Sequence, residues 1–140
     1  AKRYIMVEEL LKEYLMPVFV ADADTIILKD MLNFVESNKN YDLSLHIKEE
    51  QRYFQTIIAA GYSLFYPTDI SFKFLDFNTK YILKQLKDKK LRWHIDQIAL
   101  YMSYIYIQRK ENPNIHNNTG NNHTNPEGFF YHTFHNKYLL

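Results

Sequence analysis

Two aspartates one residue apart, Asp22 and Asp24, close an apolar run in the segment MPVFVADADTIILKDM, Met16 to Met31. Carboxylates this close repel one another and call for a counter-ion, hydrogen-bond donors or water. A divalent cation is the simplest companion. Oxygen ligands at this spacing suit hard ions such as Mg²⁺ or Mn²⁺, which bridge protein carboxylates to substrate phosphates. The competing structural account makes Asp24 the cap of a following helix and Asp22 a solvated turn residue. Spacing alone leaves the two accounts level.

The elements that must position these acids can be read along the chain. RYIMVEELLKEYL places Ile5, Leu10, Leu11 and Tyr14 near one side of a helix, with Glu8, Glu9 and Lys12 largely elsewhere. Pro17 closes it, and VFVA reads as a short buried strand of the apolar kind found in parallel or mixed sheets. ILKDMLNFVES reads as a short helix. YDLSLHI alternates as a strand, with Leu43 and Leu45 on one face and Asp42, Ser44 and His46 on the other. FQTIIAAGYSLFYP suggests one or two strands with Gly61 at a turn or bulge. Thr68 or Asp69 can cap the next helix, whose Phe72, Leu75, Tyr81, Ile82 and Leu86 suggest a buried stripe. A second helix follows from Trp93. Residues 110–127 are polar and rich in Asn, which marks a loop. FFYHTF is a closing strand. The expectation is a single α/β domain or domain fragment over 1–140: a core of mixed sheet and flanking helices to residue 109, that loop, and a closing strand and C-terminus over 128–140.

Composition narrows the partners. The 140 residues suffice for one core, and 12 Tyr and 10 Phe imply much ring packing. The absence of cysteine excludes disulfides and thiolate zinc sites. A net charge of +1 gives no broad footprint for nucleic acid. No run reaches the roughly 20 apolar residues of a membrane span, and no secretory segment is recognisable, so a cytoplasmic protein is expected. The Asn117 and Asn122 glycosylation patterns are then read as chance.

A strand followed by Asp-x-Asp also opens the haloacid dehalogenase-like phosphatases, with the first acid as nucleophile. Their pattern wants Thr or Val two residues beyond the second acid, where this chain has Ile26. That makes it a minor alternative.

A wider pattern resembles the second, acceptor-side half of a nucleotide-sugar glycosyltransferase of the A-type fold. Lys2-Arg3-Tyr4 begins a helix, as an Arg-Phe/Tyr pair does in such enzymes, and Val18 to Thr25 supply the apolar strand and Asp-Ala-Asp-Thr. YPTDISFKFLDFNTKYI is similar to their strand, Pro-Thr and phenylalanine-spaced helix. WHIDQIALYM is similar to their Trp-x-x-Asp-Gln-x-Ala-Leu-Tyr element. GFFYHTFHNK resembles the closing strand, His and Lys of the glycogenin and lipopolysaccharide galactosyltransferase group. These matches span most of residues 2–109 and 128–137, in order. Asp-x-Asp alone is common; its combination with Asp-Gln-x-Ala-Leu-Tyr is the specific part.

The resemblance implies transfer of a sugar from a nucleoside diphosphate donor, such as a UDP-sugar, to a glycan or other acceptor. Asp22, Asp24 and His132 would hold Mn²⁺ or Mg²⁺, with His135 as an alternative to His132. Arg3 and Lys137 would bind the donor, and Asp96 with Gln97 would lie at the reacting sugar. His116 and His123 would be solvated loop residues. Because the fold's nucleotide-binding half precedes this kind of segment, the resemblance also implies a missing N-terminal half or a homo-oligomer. The alternative function is a non-catalytic relative acting as an interaction module.

Overall fold

A computed structural model of the chain describes residues 2–48, 51–89, 94–117 and 130–132. The first element, α1 (Lys2–Tyr14), turns its buried face elsewhere than expected. Tyr4, Val7 and Leu11, spaced three and four apart, are buried, whereas Leu10 and Tyr14 are exposed. The Tyr4 ring decides this by meeting Phe65 edge-on at 6.3 Å. Glu8 joins the inner face instead of the outer one. Lys12 (2.6 Å) and Thr79 (2.8 Å) satisfy its two carboxylate oxygens, which makes its burial tolerable. Leu15 then adopts a left-handed conformation (φ 51°), and the helix stops before Pro17.

Four strands form a mixed sheet in the order β1 (Val18–Ala21), β4 (Ile58–Phe65), β3 (Leu43–Ile47) and β5 (Ile115–Asn117). The β1/β4 and β3/β4 pairs are antiparallel and β3/β5 is parallel. The β3–β4 register jumps between Leu45↔Ser63 and His46↔Ala59, so β4 bulges around Gly61 as the sequence suggests. Helices cover both faces, giving the mixed α/β architecture expected from the sequence. On one side α1, α4 (Asp69–Lys87) and α5 (Ile95–Lys110) pack over Val20, Leu43, Leu45, Ile58 and Phe65. On the other, α2 (Met31–Ser37) sets Phe34 against Tyr62, Leu64 and Tyr66.

Several elements depart from the local reading. Thr25–Ile27 forms β2, paired antiparallel with β6 (Phe130–His132) in a separate ribbon, where the sequence suggests that a helix begins. Phe54–Ile57 forms one turn of helix, α3, because the Thr56 N–H and hydroxyl both bond back to the Tyr53 carbonyl at 2.8 Å. Every residue of β3 is buried, so its polar face meets protein and not solvent. His46 stacks on Tyr62 at 4.7 Å, and Ser44 Oγ lies 3.0 Å from His116 Nδ1. His116 is thus a strand residue of β5 within the stretch read as a loop, opposite Ser44.

Thr68 caps α4, its hydroxyl accepting from the Ser71 N–H at 3.3 Å. The buried stripe of α4 is Phe74, Leu75, Asn78 and Ile82, with Phe72, Tyr81 and Leu86 only half-buried, because α4 wedges between α1 and α5. The α5 helix begins after His94, itself left-handed at φ 67°. Trp93 and residues 133–135 of the closing segment lie outside the described residues. Among the described residues, no helix is long and apolar enough to cross a membrane.

Candidate functional site

The carboxyl end of β1 is an expected place for ligands in an α/β sheet. There the Asp22 N–H donates to the Gly61 carbonyl (2.8 Å), which extends the β1–β4 ladder one pair beyond the strand. The Thr25 N–H then donates to the Asp22 carbonyl (3.0 Å), closing a turn over Asp22-Ala23-Asp24-Thr25. This turn reverses the chain from β1 into β2 and holds both acids at its bend. Capping does not account for Asp24: α2 is capped by Asp30, which accepts the Leu32 N–H at 2.9 Å.

Arg3, on the first turn of α1, reaches across to this turn. Its guanidinium pairs with Asp22 Oδ1 through one nitrogen. Through the other it donates to the Ala60 carbonyl (2.7 Å) and to Asp96 Oδ2 (3.3 Å). Asp96 stands in the first turn of α5, where Oδ1 also accepts the Gln97 N–H (2.9 Å). It therefore serves its own helix and the Arg3 cluster together. Gln97 is half-buried beside it. Arg3, Asp22 and Asp96 each keep between 23% and 30% of their side-chain surface, so the cluster is enclosed yet reachable.

The electrostatics follow from this enclosure. Burial works against the Arg3 charge, but Tyr4, Asp22 and Asp96 outweigh it and hold the guanidinium above its ordinary pKa. The buried Tyr4 ring lies beneath, 5.2 Å from the guanidinium carbon. Burial pushes its hydroxyl up to about 12, against the opposing pull of Arg3. One guanidinium thus pairs with both Asp22 and Asp96.

The remaining predicted residues divide. His132 lies on β6 with its backbone paired opposite Thr25, one residue from Asp24, while its side chain is outside the described set. Lys137, His135 and His123 are outside it altogether. Among the described residues, no three His, Asp or Glu side chains converge as a metal-binding group. The donors at the turn do suit a hard cation: two carboxylates, beside a buried Thr25 Oγ1 without a hydrogen-bond partner among the described residues. Arg3 Nε is likewise buried and unpartnered. The Ala60 carbonyl escapes sequence reasoning, as does the place of the Tyr4 ring beneath Arg3, since only the packing of α1 on β4 brings them there. No family model matches the chain, and no curated protein matches it at a significant level.

Proposed function

We propose that this chain carries the acceptor-side, catalytic portion of a metal-dependent glycosyltransferase that uses a nucleoside diphosphate sugar. The observation that carries this reading is the bridging of Asp22 and Asp96 by Arg3, across three separate elements, at the carboxyl end of β1. The family resemblance assigns those three residues to one site, and they are far apart in sequence. The register that sets His132 opposite Thr25 adds to it.

Mn²⁺ or Mg²⁺, held by Asp22 and Asp24 with His132 as the third ligand, would neutralise charge on the departing diphosphate. Arg3 ties Asp22 and Asp96 to one guanidinium and orients both, and its planar fork suits sugar or phosphate oxygens. Asp96, anchored by Arg3 and by the Gln97 N–H, presents a carboxylate to the sugar ring. There it stabilises developing positive charge in a retaining transfer, or draws the acceptor proton in an inverting one. The glycogenin-like resemblance favours retention.

The test is calorimetric titration of Mn²⁺ with UDP on the wild-type chain and on Asp24→Asn. Binding by the first and its loss in the second supports the reading, whereas equal binding removes Asp24 from the site. With a turnover substrate in hand, the anomer of the product read by proton NMR assigns retention or inversion.

A further inference from the structure

Between α4 and α5 lies a cleft that the Arg3 cluster does not use. Its volume is about 250 Å³, and Phe77 of α4 lines it with Met102, Ile105, Tyr106, Arg109 and Lys110 of α5. Phe77 and Tyr106 stack across the two helices, with centroids 4.4 Å apart and planes 13° from parallel. The rings make a flat apolar floor, over which Met102 and Tyr106 stay 37% and 38% exposed. Met102 adds a polarisable, unbranched side chain that conforms to apolar ligands.

The cleft is unequal along its length. Met102 stands near one end, and Arg109 and Lys110 stand at the other, about 10 Å further along α5 by helix rise. The nearby acids are spent elsewhere: Glu111 pairs with Lys73 at 2.8 Å and Asp76 with Lys80 at 2.7 Å. Among the described residues, neither Arg109 nor Lys110 has a carboxylate partner. Basic groups in a last turn complement the helix dipole, but the dipole requires no apolar cleft leading up to them. An apolar body with an anionic end is complementary to both parts. A docked helix, roughly 10–12 Å across, is too broad for so slight a cleft, whereas a single acyl chain fits.

We infer that this cleft binds a single-chain carboxylate amphiphile. Its acyl chain lies over Met102, Ile105 and the Phe77–Tyr106 floor, and its carboxylate meets Arg109 and Lys110. The inference does not rest on the glycosyltransferase reading, since Asp96 and Arg109 stand in the first and last turns of α5 and the two sites occupy opposite ends of that helix.

Calorimetric titration with sodium dodecanoate, below its micellar concentration, tests it on the wild-type chain and two variants. Met102→Glu charges the apolar end, and the double variant Arg109→Gln/Lys110→Gln removes both cations. The expected result is one saturable site with a micromolar dissociation constant that rises about tenfold or more in each variant, with an unchanged circular dichroism spectrum. Octanoate should bind about tenfold or more weakly than dodecanoate, because each buried methylene adds to the apolar term. If Met102→Glu unfolds, Met102→Gln takes its place. The inference is overturned by the absence of saturable binding, by equal affinity for octanoate, or by equal affinity for the dodecyltrimethylammonium cation. Indifference to either folded variant overturns it as well. A glutamate-flanked amphipathic peptide that binds where dodecanoate does not would make the occupant a partner helix and overturn it too.

Discussion

Arg3 acts as a fork and not as a point charge: it engages Asp22, the Ala60 carbonyl and Asp96 together. A lysine cannot span those partners. Arg3→Lys should therefore cost about 1 kcal/mol in urea denaturation, by leaving a partly buried acceptor unmet, and should weaken UDP binding in the same calorimeter. Asp96→Asn keeps the shape and the backbone bond to Gln97 but removes charge and basicity. If the proposed transfer occurs, it should lower turnover far more than donor affinity, and an unchanged rate would remove Asp96 from the chemistry. The exposed pair Lys80–Asp76 offers a contrast, since solvent screens it and Lys80→Ala should leave the urea unfolding midpoint unchanged.

At the scale of elements, the arrangement depends on how α1 sits, because that helix delivers Arg3 to the end of β1. Leu11 is fully buried in the main core. Leu11→Ala should cost roughly 3 kcal/mol by calorimetric or denaturant unfolding, with the spread set by how far α1 settles into the gap. A similar loss of UDP binding at temperatures where the variant remains folded would show that seating of α1 positions Arg3. The cap of α4 is a smaller term, and Thr68→Ala should cost about 1 kcal/mol by removing the acceptor for the Ser71 N–H. The legible parts at this scale are those with local signals: the Thr68 cap, the apolar VFVA strand and the alternating strand at 43–47. Both β2 and β5 lack such signals, since each is made a strand by a partner far along the chain.

The whole molecule titrates through its buried phenols. Tyr4, at about 12 in the folded state against 10.0 when unconstrained, holds its proton more tightly folded than unfolded. Its contribution is complete below pH 10 and is lost as pH rises from 10 towards 12, at about 1.4 kcal/mol per unit. Burial raises Tyr66 as well, in the same direction. Unfolding free energy should thus fall steeply above pH 10, and Tyr4→Phe should flatten that fall when stability is compared at pH 9 and pH 11. A slope identical to wild type would exclude Tyr4 as the titrating group.

The sequence alone determined the class of the fold and the residue types of the candidate site. Both live in short-range patterns: an apolar strand ending in paired acids, capped helices, and an ordered set of motifs. Tertiary structure decided what periodicity leaves open. The inner face of α1 follows Tyr4 because one ring finds Phe65, against the reading that put Leu10 and Tyr14 inside. The β4 carbonyl of Ala60 enters the site through sheet register and helix packing. Asp24 is a turn acid and not a helix cap because the chain reverses at Thr25 to pair with a strand over a hundred residues away. Such pairings depend on the simultaneous burial of distant segments, and no local window of sequence contains them.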